Sequence, residues 1–273
     1  MRILACIQTF NEADIIGYTL DHLLAQGIEP FVLDNWSTDN TVEVVHAKGV
    51  TCQRWPEKPD PCWSLSTHLF HVAELARRTK ADWFIHQDAD EIRRSPVPGE
   101  TLAQGIERVA RMGFTAINHQ CYTFRPIDNG YAGDPEAYFR YYTGNAHEAD
   151  RIQIKAWANC GPVRLACGGH IVDFSGRSIC PQMFALKHYP VRSQEHGERK
   201  VFRERKPRWS TAERILGWHV HYDHMRIGHN FLFEPSALKV WDTPADVMPA
   251  PISPFSDLEL WRVVRMAAQC AGA

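Results

Sequence analysis

Asp82-Trp83-Phe84-Ile85-His86-Gln87-Asp88-Ala89-Asp90-Glu91 decides how this chain is read. Its first half, Asp82 to His86, is a short apolar run that fits a buried strand. The strand ends in the acidic run Asp88-Ala89-Asp90-Glu91. Residues two apart in an extended chain face one side, so Asp88 and Asp90 would aim both carboxylates at the same place. Hard oxygen ligands arranged this way suit one divalent cation and leave room for a diphosphate. The ion would neutralise charge on a departing nucleotide diphosphate. A solvated acidic turn is the alternative for an Asp-x-Asp taken alone, so the flanking sequence has to decide.

Upstream, Arg2 to Gln8 reads as a buried strand, and Glu12 to Gln26 carries Ile15, Ile16, Leu20, Leu23 and Leu24 at helical spacing. Pro30 to Asp34 and Val50 to Trp55 are further short strands. Helices are predicted over Thr38 to Ala47 and over Ser64 to Arg78, where Leu65, Leu69, Val72, Ala73 and Ala76 share a face. Such alternation predicts an α/β fold with a central, mainly parallel sheet covered by helices on both faces. Ligands of open sheets sit beyond the carboxyl ends of strands, which nominates Asp34 and Asp88. Asp34 can accept hydrogen bonds from a uracil imide or ribose hydroxyls, while Ser37 or Asp39 has the chemistry of a helix cap.

Downstream of Gly113 the pattern loosens. Strands near Thr115 to Thr123, Arg151 to Trp157 and Phe184 to Tyr189 alternate with loops rich in Gly, Pro and Asp, a half expected to supply acceptor recognition and a lid. The expected division is a catalytic domain over 1–245, with a nucleotide-binding half at 1–112 and an acceptor-binding half at 113–245. A linker and helix follow over 246–273, the helix from about Asp257 to Ala268. The aromatic run Tyr138-Phe139-Arg140-Tyr141-Tyr142 suits either stacking on a sugar or core packing.

The composition is that of an ordinary globular protein: 44% of the 273 residues are hydrophobic, enough to bury a full core. Thirty basic and 32 acidic residues nearly cancel, so nothing global calls for nucleic acid. The start is apolar for too few residues to be a signal peptide, and no stretch reaches the ~20 apolar residues of a spanning helix. A cytoplasmic protein is expected, with peripheral membrane contact left open. Eight cysteines without a Cys-x-x-Cys pair read as reduced, mostly buried thiols.

Gln8-Thr9-Phe10-Asn11-Glu12, Leu33-Asp34-Asn35-Trp36-Ser37-Thr38-Asp39-Asn40-Thr41 and Phe84-Ile85-His86-Gln87-Asp88-Ala89-Asp90-Glu91 together resemble the ordered nucleotide-binding motifs of glycosyltransferase family 2 and its relatives. The resemblance implies the GT-A fold, Rossmann-like, with an NDP-sugar as donor and Mn2+ or Mg2+ as cofactor. It implies that Thr9, Asn11, Glu12, Asn35 and Ser37 border the nucleotide and that Asp34 contacts base or ribose. By the same likeness Asp88 contacts ribose or metal-bound water and Asp90 ligates the metal. Leu186-Lys187-His188-Tyr189-Pro190-Val191-Arg192-Ser193 resembles a segment of a bacterial branch of these enzymes, which would make His188 a further metal ligand. The family often has Pro in the first motif and Gly where Trp36 and Asn40 stand. Its processive polymerases carry a Gln-x-x-Arg-Trp that is absent here, so a non-processive transferase is expected.

The basic run Arg199 to Arg208 could close over a diphosphate, with Arg192 and Lys200 best placed, or form a solvated helix surface. A patch for anionic lipid or for a phosphorylated acceptor is a further reading. An inverting transfer to a hydroxyl acceptor needs a base; on the family's pattern Asp173 is the first candidate, with His170 and Glu148 behind it. Two rival functions remain. One is a non-catalytic sugar-nucleotide-binding protein. The other is a metallo-hydrolase built on His219, His221, Asp223 and His224, which match a His-x-His-x-Asp-His string but leave little chain for further ligands. Those histidines suit aromatic packing, or the lining of an acceptor pocket.

Overall fold

The structure is a computed structural model that describes residues 1–143, 152–215 and 218–242, with His221 described by its backbone alone. Glu148 and the expected linker and helix over 246–273 lie outside the described residues.

The first half follows the expected order: β1 (Ile3–Thr9), α1 (Ile16–Ala25), β2 (Glu29–Asp34), α2 (Thr41–Ala47), β3 (Thr51–Arg54), α3 (Leu65–Arg78) and β4 (Trp83–Asp88). Strand β1 shows why a continuous apolar run belongs in the middle of such a sheet. Ile3, Ala5 and Ile7 feed one core, against Ile16, Leu20 and Leu23 of α1 and Val45 of α2. Leu4 and Cys6 feed the other, against Leu69, Val72 and Ala76 of α3. Each fully buried aliphatic side chain of this kind contributes roughly 1.5–3 kcal/mol. Both helices α1 and α2 begin later than periodicity predicts. Asn11 has a left-handed φ of 56°, and the amides of Ile15 and Ile16 turn back to Glu12 O. Before α2, Thr38 N donates to Asn11 Oδ1 and Asp39 accepts from Thr41 N, so side chains satisfy the backbone there.

Beyond β4 come β5 (Glu91–Arg94), α4 (Leu102–Arg111), β6 (Ala116–Phe124), α5 (Pro135–Tyr138), β7 (Tyr141–Thr143), β8 (Ile154–Ala158), β9 (Arg164–Ala166), β10 (Ile171–Asp173), β11 (Ile179–His188), α6 (Gln194–Glu198), α7 (Thr211–Ile215) and β12 (Lys239–Val240). Helix α4 was not anticipated, although its signal was present: a capping box between Thr101 and Gln104, with Leu102, Ile106 and Val109 buried on one face. Phe139 and Tyr142 pack with Tyr122, Phe124 and Tyr189, so this aromatic run serves a core.

The described strands form one sheet in the order β12-β7-β6-β8-β4-β1-β2-β3, with β11 and β5 joined to β6, and β10 and β9 to β8. It is parallel from β3 to β4 and mixed beyond. Two registers matter for the site. Thr9 pairs with Asp34 and Gln8 with Asp88, which levels the carboxyl ends of β1, β2 and β4. Strand β11 runs antiparallel to β5 and sets His188 against Glu91. Among the described cysteines Cys6, Cys121 and Cys180 are buried, whereas Cys62, Cys160 and Cys167 are exposed; none of these forms a disulfide. The thiols are therefore less buried than expected, because these three fall in connecting segments. No helix among the described residues is long and apolar enough to cross a membrane.

Candidate active site

A cleft of about 220 Å³ opens at the carboxyl ends of β1 and β4. Gln8, Thr9, Phe10 and Glu12 form one wall, Asp88, Ala89 and Asp90 the floor, and His188 and Pro190 enter from the end of β11. A strap that follows α6 covers them, bringing Lys200, Glu204, Arg205, Arg208 and Trp209, with Trp63 and Leu65 at the start of α3 opposite. Residues Arg199–Arg205 of the strap are π-helical, a widened turn frequent at functional sites.

Asp88 ends β4, and Asp90 lies in the turn to β5. The two carboxylates do not share a partner. Asp88 Oδ2 accepts from Lys155 Nζ at 2.9 Å, and the same ammonium donates to Glu91 Oε1 at 2.7 Å. Asp90 Oδ2 accepts from Lys200 Nζ at 2.9 Å, whereas Oδ1 stands 3.7 Å from His188 Nε2. Burial would raise the carboxyl of Asp90, but Lys200, His188 and Arg192 together lower it to about 2. Burial likewise opposes ionisation of Asp88, and Lys155 overrides it, holding that carboxyl well below the ordinary range. Lys155 was not anticipated, yet it has a signal in the sequence: a lone cation inside the apolar run Ile154-Lys155-Ala156-Trp157.

Glu12 lines the cleft and binds two cations, Lys200 Nζ at 3.0 Å and Arg192 at 2.5 Å. They lower its carboxyl to about 2 against the cost of burial. Arg192 itself is fully buried and also grips Asp14 through two nitrogens, at 2.6 and 2.7 Å. It is a bracket behind the cleft rather than part of its lining. Among the described residues Glu12, Asp14 and His196 have ligand atoms close enough to hold a metal, but Arg192 already neutralises that cluster.

The residues nominated at the end of β2 sit behind the wall. Asp34 is fully buried and accepts from Ser37 N at 3.1 Å, with Arg54 at 3.7 Å; burial raises its carboxyl despite those contacts. Ser37 Oγ accepts from Asn11 N, and Asn35 donates to Trp55 O. Asn11, Asp34, Asn35 and Ser37 therefore join one another and the strap, since Asn11 donates to Glu204 and Arg208 donates to Asn35. The guanidinium of Arg208 lies 3.8 Å from the centre of the Phe10 ring.

The base candidates are not brought to the cleft lining. Asp173, on β10, pairs with Arg164 at 3.2 Å and Arg177 at 3.7 Å. His170 is half-buried behind a left-handed turn whose Gly168, not His170, lines the cleft. Glu148 lies outside the described residues. The described side chains of the histidine string do not gather either. Arg214 holds Asp223 through two bonds of 2.7 and 3.0 Å, His224 meets His229 edge-on at 5.9 Å, and His219 bonds Glu213 at 3.0 Å. Of that string, His219 and Tyr222 line the cleft. Sequence reasoning missed Glu213, for which the chain offers no motif.

A family model described as Glycosyl transferase family 2 matches residues 5–161, more than half of the chain. No curated protein matches it. Similar solved structures include the glucosyl-3-phosphoglycerate synthase of Mycobacterium tuberculosis in complex with Mn2+, UDP and glucosyl-3-phosphoglycerate, at 20% identity over 44% of each chain with a TM-score of 0.33. A mannosyltransferase of Pyrobaculum calidifontis in complex with GDP-Man and Mn2+ is 22% identical over 43% of this chain and 34% of that one, with a TM-score of 0.33. TarS of S. aureus in complex with UDP is 13% identical over 70% of this chain and 61% of that one, with a TM-score of 0.44. The chain matches less than half the length of the Mycobacterium enzyme. Since the family model spans more than half of it, the chain belongs to glycosyl transferase family 2.

Proposed function

We propose that this protein transfers one sugar at a time from a nucleoside-diphospho-sugar, UDP-linked in the first instance, to a hydroxyl acceptor, in the cytoplasm, with Mn2+ or Mg2+ as cofactor. The observation that carries the reading is the 3.7 Å separation of Asp90 Oδ1 and His188 Nε2 on the floor of a cleft lined by Lys200, Arg205 and Arg208. Bonds from such ions to their ligands are roughly 2.1 Å, so both atoms fit one cation between them. Asp88, on the same floor, fits a water or ribose hydroxyl beside it. The ion, when bound, supplies Lewis-acid stabilisation to the diphosphate.

The remaining residues bind and orient. Arg205 and Arg208 offer planar donors suited to phosphate oxygens, and Lys200 adds a third cation anchored by Asp90 and Glu12. Thr9 borders the nucleotide, and Asn11, Asp34, Asn35 and Ser37 stiffen its pocket from behind. On this reading 1–112 is the nucleotide-binding half and 113–245 the acceptor-binding half, which also lends His188 and the strap cations to the donor, with 246–273 as an appended tail.

A thermal-shift panel of UDP, GDP, CDP and dTDP, each with and without Mn2+, tests the proposal on the wild type and on Asp90→Ala. One diphosphate should stabilise the wild type in a metal-dependent way and leave the variant unmoved; at 100 times its Kd the gain is about 2.7 kcal/mol. Absence of any shift, or a shift indifferent to Asp90, sinks it.

A further inference from the structure

Glu213 is a buried carboxylate that the donor site does not use. It is saturated with donors at the start of α3: Ser66 N at 2.8 Å, Ser66 Oγ at 2.7 Å and Leu65 N at 3.1 Å. Burial opposes its charge, yet the bonds from His219 and from the first turn of α3 keep its carboxyl below the ordinary value. A carboxylate held this firmly has little freedom to be anything except a fixed acceptor. What it fixes is His219, whose Nε2 lies 3.0 Å from Glu213 Oε2.

That bond places the ring proton on Nε2, because a carboxylate accepts and does not donate. Nδ1 is then the imidazole's lone-pair nitrogen. Among the described residues it makes no hydrogen bond, and it is not one of the buried polar atoms left without a partner. It is therefore not sealed off, on a side chain that is 10% exposed and belongs to a residue lining the donor cleft. Ring orientation is set a second time by Trp209, which stacks on the imidazole at 5.2 Å and 11°. The backbone of His219 is left-handed, with φ of 62°, a conformation a residue with a Cβ keeps only where its surroundings impose it.

We infer that His219 is the general base toward the acceptor hydroxyl and that Glu213 is the residue that positions it. The inference rests on the donor reading above. In the step, the acceptor O–H gives its proton to Nδ1 of His219 while the oxygen forms a bond to the anomeric carbon. The bond from that carbon to the diphosphate oxygen breaks, and its electron pair leaves with the nucleoside diphosphate. The imidazolium that results faces the ionised Glu213, which lowers its cost. This is the arrangement of an acid-base residue oriented by a third group. Asp173, committed to two arginines and absent from the cleft lining, has no comparable access.

The experiment uses the purified full chain with Mn2+ and UDP-glucose, UDP-N-acetylglucosamine and GDP-mannose in turn, following release of free nucleoside diphosphate with water as acceptor. His219→Ala should lose at least about 100-fold in kcat with the donor KM unchanged, and added imidazole should restore part of the rate. Glu213→Gln should show the same split in smaller degree. Nucleoside diphosphate binding by thermal shift serves as the check that each variant is folded. Near-native turnover by His219→Ala overturns the assignment, and a loss in Asp173→Asn alongside it returns the role to the β10 carboxylate. A wild type that binds a diphosphate yet hydrolyses no donor also overturns it alone, since a base poised over the donor must activate water too. A wild type that neither binds nor hydrolyses overturns the donor reading as well.

Discussion

His188 Nε2 stands 3.7 Å from Asp90 Oδ1 because β11 runs antiparallel to β5 and pairs His188 with Glu91, while Tyr189 N closes onto Asp90 O at 2.9 Å. Backbone ladders thus hold the pair, not the side chains alone. Asp90→Ala should therefore leave the sheet intact, abolish metal-dependent nucleotide binding and lower donor use by about 100-fold or more. Isothermal titration with Mn2+ and UDP checks this. A retained metal requirement would place the ion elsewhere.

Lys155 is buried between Asp88 and Glu91, and Arg93 completes the cluster at 2.7 Å from Glu91. Removing one member of a buried ion cluster strands the others, at a cost of roughly 3–5 kcal/mol. Lys155→Met should show that loss in urea denaturation and should also free Asp88. A change under about 1 kcal/mol would mean that Arg93 alone satisfies Glu91.

Acid should weaken the fold in a defined window. Glu12 and Asp90 are lowered to about 2 from ordinary values of 4.5 and 3.8, and Glu136, held by Lys187 and Arg94, behaves in the same way. Groups depressed in the folded state stabilise it fully above their unfolded values. That contribution is lost as pH falls through the folded ones. The midpoint temperature should begin to fall below about pH 6.5, where His68, His86, His119 and His196, held neutral by burial, gain a proton on unfolding, and should drop further between about pH 4.5 and 2. Glu136→Gln should flatten that drop, and an unchanged slope would show that the ion pair stabilises nothing.

The strap is pinned by Gly197. A Cβ there would overlap the ring of Phe231, inside the small core of Val191, Val201 and Phe231. Gly197→Ala should cost about 1–3 kcal/mol by overpacking and displace the helix that carries Lys200. Thermal denaturation and nucleotide affinity should fall together. Loss of stability with unaltered affinity would show that the strap moves independently of this core.

The acidic floor of the cleft was legible because it lies at a strand end, where local pattern and topology coincide. Asp88 and Asp90 needed only the alternation of strands and helices and the two-residue period of an extended chain, whereas Thr9 came from the family likeness. His188 needed a family likeness, since a lone histidine in an apolar strand has no pattern of its own. Asp34 and Arg192 were read as contacts to ligand, and the structure sets them behind the wall, each saturated by neighbours. Burial of that kind leaves no trace in composition.

By itself the sequence determined the layered α/β architecture and the acidic run Asp88 to Glu91 at the end of β4. It could do so because hydrophobic periodicity and turn chemistry are local quantities. Tertiary structure alone decided which cation meets which carboxylate: Lys155 with Asp88, Lys200 with Asp90 and Glu12, Arg192 with Asp14. It also brought Glu213 from beyond the strap to His219 and to the start of α3. Such pairs join residues far apart in the chain, and their partners follow from strand register and the path of the strap, which no short window of sequence contains.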